Sequence, residues 1–382
     1  MKVLILTANT GEGHNQTAKA LIEEFSKYGH ECEAVNSLNF LSEKRSDFLC
    51  GWHLRLYRHM PKPSAIGYSF IDRFRSPLEK PGGIFYKYFA RGGDKLNEII
   101  KAKNIDLVIS VHPFASIIIC EFQLKHKETK VKTAFIPTDY TCSPGAPSGD
   151  IDVYFIPHPD LKEEFIRRGV SEEKLYPTYG IPVKKSFFNA PSKAEAKKYL
   201  GIKEDEKCVL LACGSMGCGP ISKLTKKLAA VLPKNTKLFV ICGTNDVLYK
   251  KLTKKNYGEN INIIQFTDKM LYYIVSADVY ISKPGGISST EAAILGAPTL
   301  LINAVGGCET YNYNFFVNHG SAKTAKNLKG FVNLTLSILN GESVFGSDAE
   351  KLKKEFSKNS AETIAAYYKN SNEEVLIPDE NN

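Results

Sequence analysis

The chain has 382 residues, with 50 Lys or Arg and 41 Asp or Glu, which gives a formal net charge of +9. This length exceeds one compact domain and fits two, and 43% hydrophobic residues exclude a disordered chain. The excess of positive charge suits an anionic partner without saying which one.

Nine cysteines, an odd number in a chain of this length, favour reduced thiols over a disulfide scaffold. No run approaches eighteen apolar residues, so we expect no helix that spans a membrane. The apolar run 3–8 is short and turns directly into TGEGHN, which favours a buried first strand over a signal peptide. These features predict a cytoplasmic protein.

Short apolar runs alternate with amphipathic stretches along the whole chain. The predicted strands are 3–6, 106–111, 131–136, 153–156, 209–213, 237–242, 261–266, 279–282 and 299–302. The clearest predicted helices are 16–28, 113–124 and 221–231. Alternation of strand and helix indicates doubly wound parallel sheets, so the fold class is α/β.

The two series of elements meet near 182–192, a stretch with two prolines that suits a domain boundary. We therefore predict one domain over 1–183 and a second over 184–345. A polar helix over 346–369 either caps the second domain or crosses back to the first, and 370–382 reads as a frayed tail.

Residues 52–91 interrupt this pattern, and an insertion of this length needs a reason. Nine aromatic residues, among them Trp52, Tyr57, Phe70, Phe74, Phe85 and Phe89, are interleaved with cationic ones. The eight cationic residues are Arg55, Arg58, Lys62, Arg73, Arg75, Lys80, Lys87 and Arg91, against only Asp72 and Glu79.

Three glycine-containing loops each follow a predicted strand and precede a helix. The first, 10–14 (TGEGH), places His14 where it can act as a general base on a hydroxyl, although a helix-capping histidine is the plain structural alternative. The second, 213–220 (CGSMGCGP), offers N–H groups to a diphosphate or is an ordinary turn. The first is not a Walker A loop, since no GK[ST] follows.

The third loop carries the strongest signal. Residues 282–291 (SKPGGISSTE) provide two glycines, three hydroxyl side chains and then an acid on the following helix. Hydroxyl and N–H groups at a helix N-terminus suit a diphosphate, and an acid one turn further in can hold a ribose diol. Downstream, 306–312 (GGCETYN) offers an acid and an amide for sugar hydroxyls.

These motifs occur in one order together with SVHP at 110–113, PTD at 137–139 and YGIPV at 179–183. The set resembles the monogalactosyldiacylglycerol synthase and processive diacylglycerol glucosyltransferase group of glycosyltransferase family 28, over about residues 1–340. The resemblance implies a GT-B fold, in which two Rossmann-like domains face each other across a cleft. It also implies an enzyme, an inverting UDP-sugar-dependent hexosyltransferase that makes β-glycosyldiacylglycerol.

The resemblance assigns roles by motif. His14 is the catalytic base, and Asp139 orients the acceptor or His14. The acceptor-binding residues are Gly11, Gly13, His112 and Thr138. The donor-binding residues are Gly214, Ser215, Phe266, Thr267, Met270, Lys283, Pro284, Gly285, Gly286, Ser288, Ser289, Thr290, Glu291, Glu309 and Asn312. Within that set, Phe266, Thr267 and Met270 border the uracil, Glu291 holds the ribose, and Glu309 and Asn312 contact the donor sugar.

The family pattern GQE reads Gly307-Cys308-Glu309 here, which leaves glucose and galactose open as the donor hexose. A UDP leaving group can be stabilised by helix N–H groups and hydroxyls, so we expect neither a metal nor a cofactor. Because diacylglycerol stays in the bilayer, we expect peripheral association with the inner face of the membrane. The basic aromatic segment suits an anionic lipid surface, unless its aromatics pack against the first domain.

Three alternatives remain at this point. A related transferase with a polyprenyl-linked acceptor keeps the fold and changes the acceptor. A UDP-sugar epimerase needs no membrane surface. A nucleic-acid-binding protein would use the +9 charge and the aromatics of 52–91, but it gives the loop at 282–291 no role, so we expect no nucleic acid partner.

Overall fold

The computed structural model describes residues 1–9, 11–41, 51, 61–302, 307–342 and 344–370. The strands of the first half are β1 (Lys2–Thr7), β2 (Glu31–Asn36), β3 (Leu107–Ser110), β4 (Lys132–Phe135), β5 (Val153–Ile156) and β6 (Leu175–Pro177). Its helices are α1 (Glu12–Lys27), α2 (Pro61–Arg73), α3 (Ser76–Glu79), α4 (Ile84–Phe89), α5 (Gly93–Lys103), α6 (Pro113–Lys125) and α7 (Lys162–Arg167).

The second half repeats this plan. Its strands are β7 (Lys207–Ala212), β8 (Thr236–Ile241), β9 (Ile261–Ile264), β10 (Val279–Ser282), β11 (Thr299–Leu301) and β12 (Ala322–Lys323). Its helices are α8 (Lys193–Tyr199), α9 (Ile221–Ala229), α10 (Asp246–Thr253), α11 (Met270–Ser276), α12 (Gly286–Leu295), α13 (Cys308–Asn318) and α14 (Leu328–Leu339). Two further helices follow, α15 (Ser347–Glu355) and α16 (Ser360–Asn370).

Both sheets are parallel throughout and have six strands each, in the orders β2-β1-β3-β4-β5-β6 and β12-β11-β10-β7-β8-β9. The prediction of two doubly wound sheets is confirmed. The strands read as continuous apolar runs because both faces of each sheet are covered. In β1, Val3 and Ile5 pack towards α1, while Leu4 and Leu6 pack towards α5 and α6 on the opposite face.

The end of the chain returns to the first sheet. Two helices cover the stretch in which the sequence predicted one: α15 packs against α12, whereas α16 packs against α1. Ile364 and Tyr368 of α16 are buried in the same cluster as Val3 and Phe25. Of the predicted tail, residues 371–382 lie outside the described part of the chain.

Candidate active site

The first sheet changes strand order between β1 and β3, so the loops after these strands lie side by side. Ligands bind at such a switch point in open α/β sheets. His14 lies in the first turn of α1, because the helix begins at Glu12, four residues earlier than predicted. Its Nδ1 lies 2.9 Å from the Val111 carbonyl oxygen, and its ring centroid lies 4.5 Å from that of His112.

In the neutral ring, these contacts define the tautomer of His14. A carbonyl oxygen only accepts, so Nδ1 of His14 carries the proton and donates it to Val111. The hydroxyl oxygen of Thr138 lies 2.9 Å from the same nitrogen. Nε2 therefore keeps the lone pair, which is the form that a general base requires.

His112 has a structural role beside its predicted acceptor contact. It is buried, and its Nδ1 accepts the Phe114 N–H as the N-cap of α6. Its ring stands edge-on to His14 and thereby limits the orientations open to that imidazole. Its contact with an acceptor stays a prediction.

The two glycines of the first loop differ in their surroundings. A Cβ on Gly13 would lie 3.4 Å from Cγ1 of Ile287 in α12, so the first turns of α1 and α12 approach each other across the two domains. A Cβ on Gly11 would meet nothing of the described chain within 4 Å, which leaves open space beside His14. Thr10, in the same motif, lies outside the described residues.

Asp139 is half-buried and faces the second domain. Its Oδ1 accepts a hydrogen bond of 2.7 Å from Nδ2 of Asn312. Burial raises the pKa of Asp139 to about 6, and the charge of Glu309 raises it as well, whereas hydrogen bonds from Asn312 and Cys308 act in the opposite direction. In the PTD motif it is the preceding residue, Thr138, that bonds His14.

Asn312 joins the two domains, and its predicted contact with the donor sugar stays a prediction. Its Oδ1 accepts the Tyr140 N–H at 2.7 Å. Its Nδ2 donates to Asp139 at 2.7 Å and to the Pro284 carbonyl at 3.0 Å. The side chain is fully buried, and these three bonds occupy the amide from both sides. Pro284, predicted to bind the donor, thus holds its loop against the first domain.

The second sheet changes strand order between β7 and β10, and the second and third glycine loops follow these two strands. Gly214 has a φ of +71°, and a Cβ there would lie 2.6 Å from Cε of Lys283. The Lys283 ammonium in turn lies 2.5 Å from Oε1 of Glu309, which is 4% exposed. The tertiary structure therefore brings together Gly214, Lys283 and Glu309, three residues predicted to bind the sugar donor.

A loop that the sequence reading missed supports the second glycine loop. The Ser215 carbonyl accepts the Thr244 N–H at 2.8 Å, and Asn245 Nδ2 donates to the Gly217 carbonyl at 3.0 Å. Gly243 has a φ of +58°, and a Cβ there would lie 2.1 Å from the Ser215 carbonyl oxygen. The only sequence signal was Gly243, directly after the strand predicted at 237–242.

The start of α12 is the candidate diphosphate site. A Cβ on Gly286 would lie 2.1 Å from the Thr138 carbonyl oxygen, so only glycine permits this approach of the two domains. Ser288 Oγ donates to the Gly285 carbonyl at 3.3 Å. Ser289 Oγ is buried and has no hydrogen-bond partner within the described residues. The N–H groups of this first turn point out of the helix, where an anion is stabilised.

Thr290, predicted to hold the diphosphate, uses its hydroxyl within the protein, and its contact with a donor stays a prediction. It is fully buried. Its Oγ1 donates to the Gly286 carbonyl at 2.7 Å and lies 2.7 Å from the Tyr140 hydroxyl of the first domain. Both hydrogen-bonding directions of the hydroxyl are therefore used inside the protein.

Glu291 follows on the same helix and is half-buried. Desolvation raises the pKa of its carboxyl to about 8, and the charge of Lys184 opposes this shift. No hydrogen bond reaches this carboxyl from the described residues, as expected for a group that binds a ligand diol.

The predicted uracil residues follow β9, which is the edge strand of the second sheet. Phe266 is 61% exposed. Thr267 Oγ1 accepts the Lys269 N–H at 3.0 Å, and Met270 is the first residue of α11. They lie at the carboxyl edge that also carries the glycine loops, and their contact with a base stays a prediction.

Helix α2 of the insertion packs against the start of α13. A hollow of about 410 Å³ lies between them, and its lining residues are Tyr68, Ser69, Asp72, Arg73, Arg168, Gly307, Thr310 and Tyr311. The Tyr311 hydroxyl donates to Asp72 Oδ2 at 2.6 Å, and a Cβ on Gly307 would lie 3.3 Å from Cγ of Tyr68. The insertion thus forms a wall beside Glu309.

The insertion is less cationic at its surface than its composition suggests. Arg75 is 7% exposed and pairs with Asp72 and with Glu79, the second pair at 3.3 Å. It therefore belongs to an internal ion-pair network, and so do the segment's only two acids. Four cationic residues of the described part are exposed: Arg73, Lys80, Lys87 and Arg91. Residues 52–60 and the side chains of Lys62 and Phe85 lie outside the described part.

One face of α2 is apolar and exposed. Ile66, Phe70 and Phe74 follow each other at a spacing of four residues and are 70%, 63% and 51% exposed. The Arg73 guanidinium lies 5.8 Å from the Phe74 ring centroid. Phe89, by contrast, is buried in the first domain. The aromatics of the insertion thus divide between the core and an exposed apolar strip.

Two family models match the chain in sequence. Residues 14–183 match "Monogalactosyldiacylglycerol (MGDG) synthase", and residues 208–329 match "Glycosyltransferase family 28 C-terminal domain". The processive diacylglycerol beta-glucosyltransferase of Bacillus pumilus (strain SAFR-032) is 28% identical over 373 residues, which cover 95% of this chain and 93% of the relative.

Solved structures support the architecture. MurG of Acinetobacter baumannii superposes with a TM-score of 0.60 at 14% identity, covering 96% of this chain and 98% of that one. The spinosyn rhamnosyltransferase SpnG superposes with a TM-score of 0.64 at 13% identity, covering 96% and 99%. The fold is GT-B, and with the family models it defines a glycosyltransferase. The chain thus resembles the monogalactosyldiacylglycerol synthase family over its first half and glycosyltransferase family 28 over its second, in one order along the sequence.

Proposed function

We propose that the protein transfers a hexose from a UDP-sugar to diacylglycerol with inversion at the anomeric carbon. The name of the B. pumilus relative makes glucose the first donor to test. The observation that carries the proposal is the approach of two helix starts across the domains. Gly13, next to the base His14, lies against Ile287 in the first turn of α12.

This geometry supports the following reaction. Nε2 of His14 takes the proton of the glycerol hydroxyl while the hydroxyl oxygen attacks the anomeric carbon. The bond from that carbon to the diphosphate breaks, and UDP leaves with the electron pair. The N–H groups at the start of α12, with Ser288 and Ser289, stabilise the charge that develops there. Neither a metal nor a cofactor takes part in these steps.

The acceptor places the reaction at a membrane surface. Among the helices of the described residues, none has the length and apolar character needed to cross a bilayer. The exposed strip of Ile66, Phe70 and Phe74 can enter the interface. Exposed lysine and arginine residues add about 1 kcal/mol each near anionic lipid. We therefore propose peripheral attachment through α2, on the inner face of the membrane.

The test is transfer from radiolabelled UDP-glucose and, separately, UDP-galactose to diacylglycerol in anionic liposomes, with products separated by the number of sugars. Labelled glycolipid from one donor is the expected result. If label enters a polyprenyl-linked lipid but not diacylglycerol, the acceptor is the polyprenyl-linked lipid and the proposed acceptor is wrong. A free UDP-sugar converted to its epimer without any lipid product would overturn the proposal.

A further inference from the structure

A cluster of imidazoles and carboxylates lies at the boundary of the two domains, outside the site described above. His158 and Asp160 follow β5 in the first domain. His319 is the C-cap of α13 in the second domain, and Glu355 is the last residue of α15. One ligand atom from each of the first three residues lies within 4.8 Å of the other two.

The hydrogen bonds direct two lone pairs towards Asp160. His319 Nδ1 lies 2.8 Å from the Phe315 carbonyl oxygen, so this nitrogen donates. In the neutral ring, Nε2 then presents its lone pair to Asp160 Oδ2 at 2.9 Å. His158 Nε2 lies 3.3 Å from Glu355 Oε2 and donates to it, while Nδ1 lies 3.5 Å from Asp160 Oδ2. A lone pair that faces a carboxylate is stabilised by a cation between the two atoms, either a proton on the imidazole or a metal ion.

We infer that His158 Nδ1, Asp160 Oδ2 and His319 Nε2 form a site for a divalent transition cation of the zinc class. Two imidazoles and a carboxylate suit Zn²⁺, whereas Mg²⁺ prefers oxygen ligands. Ligand bonds of about 2.0–2.1 Å in a tetrahedron require separations of about 3.3 Å between ligand atoms. The two separations to Asp160 Oδ2 are 2.9 and 3.5 Å. The two imidazole nitrogens lie within 4.8 Å of each other, so the rings must approach slightly when the ion binds.

The surroundings of the three ligands fit the same assignment. Imidazoles that bind a metal donate their other N–H to a carboxylate or a backbone carbonyl, as His158 does to Glu355 and His319 does to Phe315. The Asp160 side chain is 61% exposed, so a water can complete the tetrahedron. The 3.2 Å hydrogen bond from the Asp160 N–H to His158 Nδ1 gives way when the ion binds.

An ion at this position would join the two domains. It would anchor the C-terminal end of α13, the helix whose first turns carry Glu309 and Asn312. The inference rests on the cluster alone and does not depend on the transfer reaction.

The experiment is titration of the tag-free, metal-free chain with Zn²⁺, followed by calorimetry, with Mg²⁺ as the comparison ion. We expect one Zn²⁺ per chain with micromolar or tighter affinity, a higher melting temperature, and no response to Mg²⁺. His319→Gln and Asp160→Asn should weaken binding about tenfold or more. His126→Gln is the matched control, because His126 pairs with Asp94 at 2.9 Å within the first domain.

Equal Zn²⁺ affinity in the wild-type chain and in His319→Gln would overturn the inference, and so would the absence of binding. Zinc can also bind cysteine thiols, so the ligand type needs its own measurement. The Co²⁺-loaded chain should lack the intense near-ultraviolet band of a cobalt thiolate, and the presence of that band would assign the ion to cysteine instead.

Discussion

Glu291 is half-buried. Desolvation raises the pKa of its carboxyl to about 8 in the absence of ligand. Ribose hydroxyls bind the ionised form, so donor binding below pH 8 must release a proton. Both phosphates of UDP-glucose are esterified, so the ligand itself does not titrate in this range. We expect its affinity to rise between pH 6 and pH 8 and to level off above pH 8. Calorimetry across this range measures the profile.

Glu291→Gln should weaken UDP-glucose binding and flatten that profile, because the amide cannot ionise. A wild-type profile retained in Glu291→Gln would remove this residue from the ribose role.

His14→Ala should lower kcat by about 100-fold or more, since a positioned general base contributes that much. UDP affinity should stay within about twofold, because the donor site as assigned lies in the second domain. Glycolipid formation and calorimetric UDP binding provide the two readouts. Near-normal turnover would exclude His14 as the base.

At the scale of the element, α2 has two sides with different tasks. Asp72 points to Arg75 and Tyr311, whereas Phe70 and Phe74 are exposed. Phe70→Ser with Phe74→Ser should weaken binding to anionic liposomes at least about tenfold, because each aromatic ring loses interfacial burial. Flotation with liposomes measures this, with UDP affinity as the check on folding.

Val247→Ser is the control for that experiment, since Val247 is 78% exposed on α10 of the second domain. Equal loss of liposome binding in the control, or no loss in the double variant, would contradict docking through α2.

At the scale of the whole molecule, Asn312 couples the domains through three hydrogen bonds. Asn312→Ala leaves Asp139, the Tyr140 N–H and the Pro284 carbonyl without this partner. Unsatisfied buried groups cost about 1–3 kcal/mol each, so we expect a loss of about 3 kcal/mol in the free energy of unfolding. Urea denaturation at pH 7 measures it.

Asn314→Ala, at an exposed position on the same helix, should change the free energy of unfolding by less than about 0.5 kcal/mol. If both variants unfold alike, the three hydrogen bonds do not hold the domains together.

Some elements could be read from the sequence because their signal is local. The strands predicted at 153–156 and 279–282 have the same bounds as β5 and β10, since a strand buried on both faces is a continuous apolar run. Strand β2 was missed because it is an edge strand of the sequence ECEAVN with several exposed residues. Strand β2 is held in the sheet by its parallel pairing with β1, and this long-range pairing cannot be recognised from the sequence.

The candidate site was predicted in part for the same reason. A glycine loop after a strand in a parallel sheet lies at the carboxyl edge, so the positions of His14, Gly214 and Lys283 followed from local pattern and topology. The orientation of side chains did not follow: Thr290 and Asn312, predicted to contact the donor, are hydrogen-bonded within the protein.

Residues distant along the chain decided those orientations. Thr290 meets Tyr140 across 150 positions, and Asn312 meets Asp139 across 173. The cation count of 52–91 did not reveal that Arg75 is neutralised inside the protein. The sequence alone determined the α/β class, the loops and the chemistry they can offer, because these depend on short-range pattern. Only the tertiary structure decided which of these groups join the two domains. The reason is that polar atoms able to bind a ligand can instead form hydrogen bonds to residues distant along the chain.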